Sequence, residues 1–440
     1  MSDKKLFAVT GNPILHSKSP FIYNCLFSRY QVNAVYTRIA ADSADEAMFI
    51  FNQVGFSGMN ITAPFKADVL KFLDQIDESC KVPEVVNTIV KDVDKLKGYN
   101  TDIYGVTESF RKRKIIISGK KIVILGAGGA ARSAAYGLLQ NGADVIIVNR
   151  TVEKAQKIAK KFGCAYAGLE KLRDLIKNSD ILVLTLPGEV DLIKKDWLKS
   201  NYVIFDANYT SSLLSKKALL RGCTVIKGEE WLLNQALLAF KYYTGETPDE
   251  TDIKNLSKFE ISLQKSKNIS LIGFMGTGKS TIGKELAEKL NWKYIDIDDL
   301  IEKRISITIS DIFRDEGEVS FRKIESKILK ELIKKNHLVI SCGGGIVLKN
   351  ENRIRLKDNS ICAWLFSTPE TSIKRIKKGS RPLLETENPL TMAHKIFTKR
   401  KGLYAETADI VVNSEDKSAK NVANKIYEEI SQTFGYQRHN

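Results

Sequence analysis

The 440-residue sequence predicts an α/β chain: an N-terminal α/β unit, then two nucleotide-binding α/β units built on parallel sheets. Two glycine-rich turns predict it, each set between a short apolar run and a helical pattern, as does the length of chain that precedes them. The first turn, Gly126-Ala127-Gly128-Gly129-Ala130-Ala131, follows Ile122 to Leu125 and leads into a helix over Ser133 to Asn141. The second, Gly273-Phe274-Met275-Gly276-Thr277-Gly278-Lys279-Ser280-Thr281, follows Ile269 to Ile272 and leads into a helix over Ile282 to Leu290. The second pattern usually opens its domain, so the roughly 260 residues before it form a separate body with its own task.

Composition sets the bounds. With 43% hydrophobic and 27% charged residues the chain reads as globular and soluble, and no apolar run approaches the length of a bilayer span. The N-terminus lacks the apolar core of a signal peptide, so the cytoplasm is the expected compartment. Six cysteines (Cys25, Cys80, Cys164, Cys223, Cys342, Cys362) form no C-x-x-C pair and the four histidines do not cluster with them, which argues against a disulfide framework or a zinc site. A net charge of +16 raises a nucleic-acid reading, but the lysines are spread along helix-like stretches without aromatic interleaving. A solvated basic surface is expected, with no nucleic-acid or membrane partner.

Taken in order, Leu6 to Thr10 is strand-like and runs into Asn12-Pro13, then Ser17-Lys18-Ser19-Pro20. Ser19 before Pro20 reads as a helix N-cap, and a helix N-terminus flanked by two hydroxyls suits a carboxylate. In Asn60-Ile61-Thr62 the period of two places both polar side chains on one strand face, as for a pocket lining. Lys66, Asn87 and Asp102 follow in Asn60-x-Thr62-x-Pro64-x-Lys66, Val86-Asn87-Thr88 and Asn100-Thr101-Asp102.

The first glycine turn is a G-x-G-x-x-A dinucleotide fingerprint of the Rossmann type, which puts Gly126, Gly128, Gly129 and Ala130 at a pyrophosphate. The next strand, Val145 to Val148, ends in Asn149-Arg150-Thr151. Asp or Glu there would grip a ribose 2′-hydroxyl; Arg150 and Thr151 suit a 2′-phosphate instead, hence NADP rather than NAD.

These motifs, with a late Gly228 to Gln235, stand in the order seen in shikimate dehydrogenase, and Met1 to Thr247 resembles that family over nearly its whole length. The resemblance implies that Ser17, Ser19, Asn60, Thr62, Asn87, Asp102, Tyr209 and Gln235 contact the substrate. It further implies that Lys66 and Asp102 form the catalytic pair and that Gly228 lies by the nicotinamide. Ala63, Lys154, Ser211 and Trp231 depart from the family pattern without removing a catalytic group.

The second glycine turn fits G-x-x-x-x-G-K-[ST], a P-loop in which backbone N–H groups at Gly276 and Gly278, Lys279, and the hydroxyls of Ser280 and Thr281 face phosphates and Mg²⁺. Asp296 and Asp298, two apart at a strand end, are expected to point to one side, one carboxylate toward metal and one toward substrate. Phe321-Arg322-x-x-Glu325, Gly343-Gly344-Gly345, Arg381 and Arg400 follow, and Lys267 to Ile430 resembles shikimate kinase. By that resemblance Ser280 and Asp296 hold Mg²⁺, Asp298 is the base, and Arg322, Gly344, Gly345 and Arg400 bind shikimate. Arg381 would lie on a lid, and Arg375 would touch the nucleotide. Gly402 stands where the family usually has proline.

The expected division is a dehydrogenase substrate domain over 1–110 completed by 228–247, a Rossmann NADP domain over 111–227, a linker over 248–266 and a P-loop kinase domain over 267–435. The expected function is reduction of 3-dehydroshikimate to shikimate and its phosphorylation, with NADP(H), ATP and Mg²⁺; these small molecules are the expected partners. The alternative keeps one enzyme and makes the other half a ligand-sensing or assembly module.

Overall fold

The structure, a computed structural model, describes residues 4–186, 188, 191–208, 212–249, 251–252, 268–376 and 382–435. Tyr209, Arg381 and most of the expected linker lie outside them. By packing, the chain divides into two compact units, Met1–Met59 with Ile261–Asn440, and Asn60–Glu260. This division by packing differs from the expected division by activity.

In the first unit seven parallel strands run in the order Lys293–Asp296, Leu338–Ser341, Asn268–Ile272, Ile361–Phe366, Ile410–Asn413, Ala34–Ala40, Lys5–Gly11. Parallel strands covered on both faces need continuous apolar runs, and Ile361–Phe366, Ile-Cys-Ala-Trp-Leu-Phe, is buried at every position. Its neighbour Ile410–Asn413 also pairs with Ala34–Ala40 through Val411 with Ile39 and Val412 with Ala40, so two strands from the first 59 residues extend the sheet of the last 180. The glycine turn after Ile272, the carboxylate Asp296 and the triple glycine after Ser341 all stand at carboxyl ends of neighbouring parallel strands, where α/β sheets place ligands. Among the helices of this unit, Lys279–Leu290 packs against Ala419–Phe434.

In the second unit six parallel strands run Thr224–Lys227, Val203–Asp206, Ile181–Leu184, Lys121–Leu125, Asp144–Val148, Ala165–Ala167. Read from Lys121–Leu125 as the first, this is the doubly wound 3-2-1-4-5-6 order with the fingerprint after its central strand. Alternation along that strand divides the core: Ile122 and Ile124 join the cluster with Val145, Ile147 and Phe205, and Val123 and Leu125 join the one with Leu182, Leu184 and Ile204. The same unit holds the antiparallel pair Thr88–Asp92 and Lys95–Tyr99, and the helix Thr101–Lys112 packs against both Gly228–Thr244 and Gly129–Gln140.

Three local expectations need correction. The first helix is Ser19–Arg29 with Lys18 at its N-cap, so Ser19 is its first residue and not the cap; the Ser17 hydroxyl accepts from the Ser19 N–H at 3.4 Å. The strand Gly58–Ile61 ends before Thr62, so alternation does not reach that residue. Asp296 ends its strand but Asp298 lies in the helix Ile297–Ile305, and what relates the two is capping, the Asp296 carboxylate accepting from the Asp298 N–H at 3.0 Å.

Trp364 is fully buried, tilted 5.5 Å from Tyr404 and 6.5 Å from Phe397, and its indole N–H has no acceptor among the described residues. Trp364→Ala opens a large cavity and is expected to lower stability by about 3–5 kcal/mol. Trp364→Phe keeps most of the volume, removes the unpaired donor, and should cost less than about 1.5 kcal/mol. Chemical denaturation of both variants checks the order; equal losses would contradict it.

Candidate active sites

Polar groups singled out by the sequence in Asn60–Glu260 converge on an ion pair. Lys66 and Asp102 are hydrogen-bonded, with the lysine side chain 13% and the aspartate side chain 10% exposed. Asp102 sits in the first turn of Thr101–Lys112, where the helix dipole favours a carboxylate, and its carbonyl accepts from the Trp231 indole at 3.0 Å. Trp231, a departure from the family pattern, therefore ties this turn to the helix Gly228–Thr244, and Gly105 leaves room for it: a Cβ there would stand 2.5 Å from the indole ring.

Around the pair runs a buried polar network. The Asn87 carboxamide oxygen accepts from the Thr101 N–H at 2.7 Å, and its amide donates to the Thr101 hydroxyl at 2.9 Å and the Gln235 carboxamide at 3.3 Å. Asn60 donates to the Asn87 carbonyl at 3.1 Å and the Thr88 hydroxyl at 3.0 Å. Thr62 is half-buried beyond the strand end. The sequence singled out Asn60, Asn87, Asp102 and Gln235 and missed Thr101, whose hydroxyl joins Asn87 to Gln235; its place in Asn100-Thr101-Asp102 was the available signal. Ser17 and Ser19, both buried, belong to the other compact unit.

The dinucleotide turn is shaped for close approach. Gly126 has φ +128° and a Cβ there would lie 2.3 Å from the Thr185 hydroxyl; Gly128 caps the helix Gly129–Gln140, whose first residue would, with a Cβ, meet the Lys66 side chain at 3.0 Å. Ala130 follows in the first turn of that helix, leaving its N–H groups open to a pyrophosphate. At the next strand end Asn149 donates to the Thr151 carbonyl at 3.0 Å, and Arg150 and Thr151 are exposed. Gly228 opens its helix against the Ala207 carbonyl, 2.4 Å from where a Cβ would be.

In Ile261–Asn440 the P-loop wraps its own lysine: the Lys279 ammonium donates to the carbonyls of Gly273 at 3.0 Å and Phe274 at 2.7 Å. Gly276 and Gly278 adopt φ of +80° and +86°, and a Cβ on Gly276 would stand 2.3 Å from the Ser372 carbonyl. Ser280 and Thr281 open the helix Lys279–Leu290. The Ser280 hydroxyl donates to the Asp296 carboxylate at 2.7 Å, as does the Tyr294 hydroxyl at 3.0 Å. Ser280 and Asp296 thus offer two hard oxygen donors side by side, the donor type that suits Mg²⁺. Arg375 donates to the Ser414 carbonyl at 3.1 Å.

A pocket beside this loop is lined by Met275, Asp298, Phe313, Arg322, Gly344 and Arg400, with Gly343 and Gly345 between them. Arg322, on the buried face of Gly317–Leu332, is gripped by Glu325 at 2.9 Å and by Glu318 at 3.1 Å. Arg400 is buried and donates to the Gly344 carbonyl at 3.1 Å, where the Tyr404 hydroxyl also donates. The triple glycine has a second reason to exist: a Cβ on Gly345 would meet the Arg322 guanidinium at 2.1 Å, and one on Gly343 would meet Glu325 at 2.5 Å. Glu325, quoted in the sequence motif yet not singled out, holds the arginine in place. Helical spacing of three residues was the signal.

Comparison with known proteins gives a family match for each part of the chain. The family profile described as shikimate dehydrogenase substrate binding domain matches residues 9–89, that of shikimate / quinate 5-dehydrogenase matches 109–206, and that of shikimate kinase matches 275–431. The shikimate dehydrogenase (NADP(+)) of Carboxydothermus hydrogenoformans is 34% identical over 266 residues, covering 56% of this chain and 94% of the relative. That of Pyrococcus furiosus is 35% identical over 254 residues, covering 56% and 93%. Among solved structures, shikimate dehydrogenase from Aquifex aeolicus aligns over 59% of this chain and 100% of its own, with 31% identity and a TM-score of 0.55. The Thermus thermophilus enzyme in complex with NADP(H) and shikimate aligns over 58% and 98%, with 27% identity and a TM-score of 0.53. The chain belongs to the shikimate dehydrogenase family and carries, further along the same polypeptide, a shikimate kinase domain.

Proposed function

We propose that this chain performs two consecutive steps, reducing the ketone of 3-dehydroshikimate and then phosphorylating the 3-hydroxyl of the shikimate formed. The observation that carries this reading is that one chain holds both the Lys66–Asp102 pair and a P-loop with Asp296 and Asp298 beside an arginine-lined pocket. In the first step bound NADPH supplies hydride. Lys66 donates a proton to the developing alkoxide, with Asp102 holding the ammonium in place, and Asn60, Thr62, Asn87, Gln235, Ser17, Ser19 and Tyr209 orient the substrate. Arg150 and Thr151 take the 2′-phosphate.

In the second step bound Mg²⁺-ATP supplies the phosphoryl group, with Lys279 at its phosphates and Ser280 and Asp296 as the metal's protein partners. Asp298 takes the proton of the attacking hydroxyl. Arg322 and Arg400, with the backbone of Gly344 and Gly345, hold the shikimate carboxylate. Arg381 steadies the transferring charge, and Arg375 touches the nucleotide. No described helix is long and apolar enough to cross a membrane, and all six cysteines are free, which fits a cytoplasmic enzyme.

Substitution separates the two activities. Lys66→Ala is expected to lower NADP-dependent oxidation of shikimate by at least about a hundredfold and to leave kinase turnover within about twofold. Asp298→Asn should do the reverse. Loss of both activities in either variant, with the fold retained, would count against independent sites.

Glu325 has no exposed surface, and burial pushes its carboxyl up to about 7 even though Arg322 beside it opposes the shift. Its folded value lies above the ordinary one, so the stabilisation from its bound proton is full below about pH 4.5 and is lost as pH rises through about 7. The unfolding midpoint of the wild type should therefore fall relative to that of Glu325→Gln as pH is raised from about 5 to about 8. Thermal melts across that range read it, and a gap that does not change with pH would contradict the assignment.

A further inference from the structure

We infer that Glu429, at the far end of the kinase segment, is a positioning residue for the dehydrogenase reaction. It lies on the helix Ala419–Phe434, inside the stretch 275–431 matched by the shikimate kinase profile, and is 1% exposed. A buried carboxylate is costly unless its oxygens are taken up. One oxygen of Glu429 accepts from two consecutive backbone N–H groups, Ile14 at 2.8 Å and Leu15 at 2.9 Å. These residues begin the short loop to Ser17 and Ser19, within the stretch matched by the dehydrogenase substrate-binding profile.

One turn earlier on the same helix, Lys425 is 4% exposed and holds the two flanks of the same region. Its ammonium donates to the Asn12 side chain at 2.9 Å and to the Ala41 carbonyl at 3.1 Å, with the Asp42 carboxylate at 3.1 Å and Glu429 itself at 3.5 Å. A third buried charge completes the frame. Arg38 donates to the Ser17 carbonyl from Nε at 3.0 Å and from Nη2 at 2.6 Å, and from Nη1 to the Asp409 carbonyl at 3.1 Å, just before the strand Ile410–Asn413. All of these residues belong to one compact unit. The backbone leading to Ser17 is therefore held by Glu429 and Lys425 of the kinase segment, and the Ser17 carbonyl by Arg38, itself anchored on the Asp409 carbonyl of that segment, so the Ser17 and Ser19 hydroxyls depend on it for their position.

The inference rests on the proposed contact of Ser17 and Ser19 with the substrate. It implies that Glu429 acts on shikimate binding by the dehydrogenase and leaves kinase chemistry alone, since its hydrogen bonds and ion pair among the described residues go to Ile14, Leu15 and Lys425, none of which lines the kinase pocket.

The test uses the full chain, with shikimate and NADP⁺ for one activity and shikimate and Mg²⁺-ATP for the other. Glu429→Ala strips a charged acceptor from two N–H groups, and the dehydrogenase KM for shikimate should rise about tenfold with kcat changed less than about threefold. The kinase KM should not move. Glu429→Gln keeps an acceptor oxygen at the same reach and should restore most of the dehydrogenase KM, while amide exchange at Ile14 and Leu15 should quicken in the alanine variant and not in glutamine. Should the alanine variant fail to fold, Glu429→Asp, whose oxygens are drawn back by one methylene, replaces it with the same expectation. An unchanged KM in these variants, alongside a raised KM in Ser17→Ala, would overturn the proposal. If Ser17→Ala also leaves KM unchanged, the substrate role of Ser17 is wrong and the proposal falls with it.

Discussion

The pairing of Ile410–Asn413 with Ala34–Ala40 is the interaction on which the first compact unit depends. Parallel strands are stable only when both faces are covered. Once those two strands lie side by side, the chain before Gly55 and the chain after Asn268 share one sheet and one interior. Side chains that look ordinary in sequence then become joints. The Thr37 hydroxyl donates to the Ala408 carbonyl at 3.1 Å, Lys401 donates to the Val54 carbonyl at 2.8 Å, and Lys417 pairs with Asp42 at 2.9 Å and Glu46 at 2.5 Å. Lys425, Glu429 and Arg38 are the buried members of that set, and each has its charge met by backbone groups or an opposite charge.

Both sites follow one construction rule. Glycines at the carboxyl ends of parallel strands let backbone or side chains approach where a Cβ could not stand, and ion pairs with little exposed surface then hold the neighbouring charged groups in place. Gly129 beside Lys66 and Gly345 beside Arg322 are the same device in different units. Lys66 with Asp102 and Arg322 with Glu325 are its charged counterparts. Removing one partner of such a pair costs more than the pair contributes, because the other charge is left buried.

Much of this was legible in the sequence because the signals are local. A glycine turn between a strand and a helix needs only about twenty residues of context, and both such turns stand where expected, with the Rossmann and P-loop sheets around them. Local geometry misled in small ways: Asp298 entered a helix instead of continuing a strand, and Ser19 moved one place into its helix because Lys18 takes the cap. What no local pattern could carry was pairing across more than 370 residues. Lys425 and Glu429, four apart on a helix with a polar face, read as a surface ion pair until the strand beside them is known to meet Ala34–Ala40. Trp231 stood out only as a departure from the family pattern, and its purpose, a hydrogen bond to the Asp102 carbonyl, appears only when the helices Thr101–Lys112 and Gly228–Thr244 are packed together.

The central claim is that one chain carries out two reactions in series. The direct measurement supplies the purified full chain with 3-dehydroshikimate, NADPH, ATP and Mg²⁺ and follows shikimate and shikimate 3-phosphate by mass spectrometry. NADPH should be consumed, shikimate should pass through a transient, and shikimate 3-phosphate should accumulate. Shikimate that accumulates with ATP untouched would contradict it, leaving the P-loop body without its reaction.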